Sequence, residues 1–499
     1  MHHPLTIIIV GGGTAGWMTA AALSQLIEKN ICTITLVESA EIGTVGVGEA
    51  TLPQMKDFND FIGINEADMM QSTNATFKLG IQFVGWGKQS SSYIHPFGKF
   101  GESIAGVDFH QVWSRLNLVA KVKNIEAYSY AIQASYQNRF EFPVNDKNYI
   151  NSTYSYAYHF DASLYAQYLR KFSEERDVRR VEGKIHSVKR SNATGLIESI
   201  ELESGLSIKG DFFVDCSGFR SLLLREALGA EFEDWSHWLP CDRAAALPSK
   251  RIEKIPPYTR STAKEAGWQW RIPLQHRTGN GYVFSSDFIS EDKAVESLLN
   301  DVPDALAVPR LLKFKAGRYR QSWIKNCVAI GLSSGFLEPL ESTSIYLIQV
   351  AIFNLLKCFP NKQVENELIA EYGRLMDLEY ERIRDFLILH YHLNERDDND
   401  LWRYCRSMKI PDSLKEKIAI YKSRGYIDQY RYGLFSLPSW IAVFNGQGLT
   451  QNLVDPFAFN ISDDTAIERL NEIEKRISER VKSMPTHDEF LADYCPAKL

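Results

Sequence analysis

The chain lacks most of the features that would place it quickly. Its seven cysteines, Cys32, Cys216, Cys241, Cys327, Cys358, Cys405 and Cys495, are scattered and never spaced as CxxC. That spacing indicates neither a zinc site nor a disulfide framework, and no metal is expected. A reducing cytoplasm fits such thiols best. No apolar run reaches the roughly 18 residues that would span a bilayer. The opening "MHHPLTIIIVGGG" enters a strand too soon to leave room for a signal peptide. Basic residues form no block, and the net charge of −6 is spread along the chain, so neither nucleic acid nor a membrane surface is an expected partner. Internal repeats and low-complexity linkers are missing too.

What is present is an ordinary globular composition, 44% hydrophobic and 24% charged, over 499 residues. A single core rarely outgrows about 250–300 residues. Two closely associated modules are therefore expected, approximately 1–360 and 361–499, packed rigidly for want of a flexible linker. The second reads as mainly helical, with amphipathic stretches such as "LEYERIRDFLILHY". Aromatics are generous, with 10 Trp, 23 Tyr and 27 Phe. Such a supply suits a pocket for a flat ligand, although most rings serve a core.

The N-terminus carries the first strong motif. "LTIIIV" reads as a strand buried on both faces. Gly11-x-Gly13-x-x-Gly16 follows, then a helical run, then the strand "CTITLVE" ending at Glu38. In this β–turn–α–β context the first glycine permits a tight turn and the second lets backbone approach a pyrophosphate. The third lets helix and strand pack closely. Phosphates then rest on the free N–H groups of the helix start, beside Thr14 and Ala15. Glu38 can accept from ribose hydroxyls and would repel a 2′-phosphate. An ADP-containing dinucleotide is expected. Further on, "GLSIKGDFFVDCSGF" reads as a hairpin or a strand ending in a loop, with Asp215 and Gly218 at its end. Taken with the first motif, that Asp–Gly turn favours FAD over NAD.

"TNATFKLGIQFVGW" holds a lone Lys78 in an apolar run. Phe77, Leu79, Ile81 and Phe83 alternate with Lys78, Gly80 and Gln82, as in a half-buried strand. Local pattern alone makes Lys78 a solvent-facing residue. "NCVAIGLSSGFLEPLESTSIYLIQVAIFNLLKCF" reads as strand, long loop, then helix. In it Glu338 and Glu341 could each simply serve the helix start.

Several stretches in order resemble the flavin-dependent halogenases of the tryptophan-halogenase family: "GGGTAGW", "VGVGEATLP", "FKLGIQF", "AYHFDASLYA", "DCSGFRSLL", "GWQWRIPL" and "GFLEPLEST". They run from about residue 7 to about residue 400. The resemblance implies an α/β, FAD-binding, Rossmann-like flavoprotein monooxygenase/halogenase fold with an associated helical substrate module. Ala50 and Gly331 join the expected cofactor-binding residues. It also implies that reduced FAD and O2 form a flavin C4a-hydroperoxide, which halide converts to hypohalous acid for use on a separate aromatic substrate. Lys78 matches the lysine that hydrogen-bonds hypohalous acid or forms a haloamine. Glu341 matches the glutamate that polarises the halogen donor or takes the arenium proton. Trp268, Trp270, Ile272 and Pro273 match a wall beside the flavin that keeps its intermediates from acting as a monooxygenase. Two tryptophans on one face of a strand would also be plain core.

Backbone N–H groups of Thr343 and Ser344 match the halide site, chloride or bromide. Tryptophan halogenases commonly have Gly at the second position. Were φ positive there, Ser344 would imply strain. His95 and Phe97 match indole-lining residues, although His95 reads equally as a hydrogen-bonded core residue. Trp440 would supply another wall. Upstream of it the sequence departs from the family. Tyr430 and Tyr432 are not adjacent, and no glutamate precedes Trp440, so free tryptophan would find few matched partners. An indole-like arene, free or tethered, is expected instead. The implied partner is a separate NAD(P)H-dependent flavin reductase, and family habit allows a homodimer. Competing readings are an aromatic monooxygenase on the same scaffold and a non-catalytic flavin-binding redox sensor. Lys78, Glu341 and the WxWxIP segment count against the first, and the presence of both Lys78 and Glu341 counts against the second.

Overall fold

The computed structural model describes residues 4–40, 48–119, 121–363, 365–430 and 433–497. Val45 to Val47 of "VGVGEATLP" and Tyr432 lie outside these. The β-branched run Leu5–Val10 (β1) forms the centre of a six-stranded sheet, followed by helix Thr14–Leu26 (α1) and strand Cys32–Glu38 (β2). β1 pairs in parallel with β2 on one side and with Phe212–Asp215 on the other. Phe212–Asp215 pairs in parallel in turn with Cys327–Ala329. Strands covered on both faces are apolar, which is why β1 is hydrophobic without a break from Ile7 to Val10, with Thr6 only partly buried. The stretch read as a hairpin or a strand ending in a loop is the latter. Ser207–Lys209 and Phe212–Asp215 join different sheets.

A second, seven-stranded sheet includes Gly267–Pro273, Gly80–Val84 (β5) and, at its edge, Ser92–Pro96 (β6). A small sheet joins Gly48–Ala50 (β3), Ala157–Asp161 (β7) and Thr76–Lys78 (β4), with both outer strands antiparallel to β7. The expected single strand around Lys78 is thus two, β4 and β5, in different sheets with Leu79 between them. The expected polar face is absent, because Thr76 to Phe83 are all buried. Alternation survives in the pleat, but tertiary packing covers both sides of it.

Beyond residue 361 the named elements are helical, led by Asn366–His392, with Leu437–Gly446 and the C-terminal helix His487–Tyr494. One apolar cluster runs from Leu5 to Cys495 and takes in residues of both sheets and of these helices. All seven cysteines are buried free thiols. Among the described residues no helix is long and apolar enough to cross a membrane.

Candidate active site

At the β1–α1 turn, Gly11 has φ +112°, and a Cβ there would lie 2.2 Å from the Cys216 carbonyl oxygen. A Cβ on Gly16 would lie 1.8 Å from the Gly11 carbonyl oxygen. Gly13, by contrast, faces open space, and α1 begins with neither a side-chain cap nor an acidic residue in its first turn. An uncapped helix start beside an open Cα is a cradle for a diphosphate, and the residues fit an ADP-containing cofactor. Glu38 ends β2 next to this turn. Its Oε2 accepts from the Trp17 indole at 3.3 Å, and Arg180 pairs with its Oε1.

Asp215 is fully buried and its carboxylate is spent on its own loop. Oδ1 accepts from the Ser217 amide and hydroxyl, and Oδ2 from the Leu223 and Leu224 amides. It therefore shapes the turn that presents Gly218. Gly331 sits against α1, where a Cβ would meet that of Ala15 at 2.8 Å. Ala50, in β3, is buried opposite His159 of β7.

On Gly267–Pro273, Trp268, Trp270 and Ile272 share a face while Arg271 points out. The two indoles lie 6.2 Å apart, and the Trp270 Nε1–H is buried without a partner among the described residues, whereas the Trp268 indole faces the Glu338 carboxylate. Ile272 reaches β3, where a Cβ on Gly48 would be 3.4 Å from its Cγ2. Pro273 closes the strand, and its carbonyl accepts from the Thr76 hydroxyl in β4.

Lys78, at the end of β4, is completely buried. Its Nζ donates to the Thr51 carbonyl at 3.0 Å and the Ser342 hydroxyl at 2.8 Å, and it lies 5.1 Å from the centre of the Phe97 ring. No carboxylate pairs with it among the described residues. Burial therefore dominates and pulls its pKa from 10.5 to about 7, with the Glu341 charge opposing the shift.

Glu341, also fully buried, does not serve a helix start. His95 Nδ1 lies 2.9 and 3.0 Å from its two oxygens. His390, on the Asn366–His392 helix, places Nε2 2.7 Å from Oε1, although it is poorly aligned for a hydrogen bond. Burial pushes the carboxyl up, but the two imidazoles outweigh it and hold it at about 2. Glu338 is not a helix cap either. It accepts from the Tyr391 hydroxyl at 3.0 Å, and burial pushes it up to about 7.

The left-handed residue of this loop is Ser342 (φ 59°), which opens the Thr343–Lys357 helix. Ser344 lies inside that helix, so the strain anticipated there falls two residues earlier. The helix has no side-chain cap, and the buried Thr343 Oγ1 has no partner among the described residues. His95 closes against Phe386 (5.7 Å) and Phe435 (6.2 Å), and Phe386 meets Trp440 edge-on at 5.1 Å. The His95, Phe97 and Trp440 of the sequence thus gather near Lys78 and Glu341. His390, Phe386, Phe435 and Ser342 join them unforeseen. Only Ser342, adjacent to Glu341, carried any signal.

A parallel sheet with a diphosphate cradle at its strand ends, and a separate buried amine and carboxylate among aromatic rings, define an FAD-dependent oxidoreductase. Residues 6–463 match the tryptophan halogenase family. The chain is 36% identical to tryptophan 6-halogenase SttH of Streptomyces toxytricini, over 98% of each chain. Among solved structures, Xcc4156, a flavin-dependent halogenase from Xanthomonas campestris, superimposes with TM-score 0.96 at 43% identity, covering 100% of this chain and 99% of that one. BrvH, a flavin-dependent halogenase from Brevundimonas sp. BAL3, gives 0.95 at 42% identity over 99% of both. The chain belongs to the tryptophan halogenase family. As a flavin-dependent halogenase it works with FAD, a halide, an aromatic substrate and a separate flavin reductase.

Proposed function

We propose that this enzyme halogenates an indole-like arene other than free tryptophan, with Lys78 carrying the halogen and Glu341 taking the proton. The observation that carries this reading is a fully buried lysine with two neutral hydrogen-bond acceptors and, among the described residues, no carboxylate partner, its pKa drawn down by burial to about 7. As an amine, Lys78 spends both N–H groups on Thr51 and Ser342 and keeps its lone pair for the halogen. When bound, reduced FAD with O2 supplies the oxidising equivalent that turns halide into hypohalous acid. Lys78 then exchanges a proton for the halogen and releases water. The ring attacks that halogen and the electron pair returns to nitrogen, while the arenium proton passes to the Glu341 carboxylate, held ionised by its imidazole neighbours, and from there to the nitrogen, so that amine and carboxylate are both regenerated. The uncapped start of Thr343–Lys357, with Thr343 and Ser344 amides, suits the halide.

The substrate argument rests on charge. Near Tyr430, whose ring faces Arg382 (4.5 Å) and Lys417 (4.2 Å), the carboxylates Asp385 and Asp428 are already paired with Arg384 and Lys417. An amino-acid ammonium would find no carboxylate unspent among these.

Reactions with flavin reductase, NADH, FAD and chloride or bromide, read by mass spectrometry, test both claims. Indole and substituted indoles should gain halogen and tryptophan little. Lys78→Ala and Lys78→Arg should both be inactive, since a guanidinium does not deprotonate. Full activity in Lys78→Ala, or a product gaining only oxygen, overturns the reading. An active Lys78→Arg would favour a hydrogen-bond donor over a haloamine.

A further inference from the structure

The lysine strand β4 is only three residues long and bonds to a neighbouring strand, β7, along one edge. The Phe77 N–H, immediately before Lys78, meets Nε2 of His487 at 3.1 Å. His487 comes from the C-terminal helix, beyond the residues that match the family. Its Nδ1 stands 3.0 Å from the Ile255 carbonyl, which can only accept, so Nδ1 bears the proton and Nε2 offers a lone pair to the amide. The ring is completely buried, and burial holds its pKa near 4, so this tautomer persists at working pH.

The rest of the helix reinforces the same strand. Phe490 and Tyr494 pack on the Phe77 ring at 5.6 and 6.1 Å. The Tyr494 hydroxyl donates to Glu66, and the Gln275 amide donates to the Cys495 carbonyl. A capping box between Thr486 and Glu489 fixes where the helix begins, and hence where His487 points.

We propose that His487 is a positioning residue for halogen transfer: by accepting the Phe77 amide it fixes the register of β4 and so the place of the Lys78 amine. This rests on the reading of Lys78 as the halogen carrier. Among the described residues Lys78 pairs with no carboxylate and donates to two neutral acceptors, so its amine is located chiefly by its backbone. A displacement of about 1 Å at a reacting group costs on the order of 10²-fold in rate. Hypohalous acid that meets a displaced amine escapes rather than transferring. Loss of His487 therefore uncouples formation of the oxidant from its use.

The test uses the full chain with FAD, flavin reductase, NADH, bromide and indole. It follows His487→Leu, His487→Gln and His487→Asn beside Lys78→Ala. Three readouts are taken: exchange of the Phe77 amide with deuterium, bromoindole formed, and hypobromous acid caught by a diffusing β-diketone. In His487→Leu the amide should exchange at least about 10²-fold faster. Total oxidant should stay within about twofold while bromoindole per oxidant falls about tenfold or more. His487→Gln, whose Oε1 reaches the place of Nε2, should restore protection and coupling. His487→Asn, which reaches only the place of Nδ1, should not. A purely structural role would lower oxidant and product together and would not rank glutamine above asparagine. Wild-type coupling in His487→Leu overturns the proposal. If that variant does not fold, equal coupling in the glutamine and asparagine variants overturns it instead. Coupled bromination by Lys78→Ala would sink the lysine reading itself, whereas silence of the His487 variants alone sinks only this inference.

Discussion

The glycine turn after β1 and the pocket around Lys78 are opposite ways of building a site. The turn is made by residues within one short stretch, and its geometry follows from contacts between near neighbours. Gly16 touches Gly11, and Gly13 is left open. The pocket draws Thr51, Lys78, His95, Glu341 and His390 from five separate stretches. Its chemistry lies less in residue type than in environment, because the same lysine on an exposed strand would keep its ordinary pKa. A contiguous motif fixes shape, and a dispersed site fixes the cost of carrying charge.

That contrast can be broken by substitution. A large effect is expected from Glu341→Gln, which keeps shape but removes the carboxylate charge. Halogenation should fall by about 10²-fold or more while reduced FAD is still consumed, read as product against oxygen uptake. Gly16→Ala should strike the turn itself, since its Cβ would overlap the Gly11 carbonyl. Unfolding should become easier by on the order of 2–3 kcal/mol in chemical denaturation.

Lys78→Met should separate function from stability, abolishing halogenation while raising stability at pH 7 by on the order of 2 kcal/mol. The sign follows from the shift. The folded pKa of about 7 lies below the ordinary 10.5, so the unfolded chain binds the proton more readily between those values. The wild-type penalty is full below about pH 7 and fades as pH rises through 10.5, so the two melting curves should converge at high pH. For the same reason the haloamine route predicts halogenation rising with pH through about 7. The smallest effect is expected from Gly13→Ala. It meets open space in the protein, so the melting temperature should hold, while FAD affinity measured by fluorescence titration weakens by about tenfold, or 1.4 kcal/mol.

Much of this was legible in the chain. β1, α1, β2 and the strand–loop–helix around Glu341 stand where hydrophobic pattern and glycine spacing put them. The helical composition after residue 361 did the same for the C-terminal part. Local alternation gave the wrong surroundings for Lys78, because a strand cannot report what another sheet lays over its polar face. The sequence allows His95 two roles. In the fold it lies against Phe386 and Phe435 and also bonds Glu341. His390 carries no local signal within its amphipathic helix, and nothing in the sequence near Cys495 places His487 beside the lysine strand.

The sequence by itself determined the family and the glycine turn after β1, and it marked Lys78 and Glu341 as candidates. Such features depend on residue type at short spacing, where bonded geometry and neighbouring sterics act directly. Only the tertiary structure decided that Lys78 is dry, that Glu341 is held ionised by two imidazoles, and that the C-terminal helix grips β4. Desolvation and Coulomb interaction are set by distance in space, and residues hundreds of positions apart come within 3 Å of one another here only once the chain has folded.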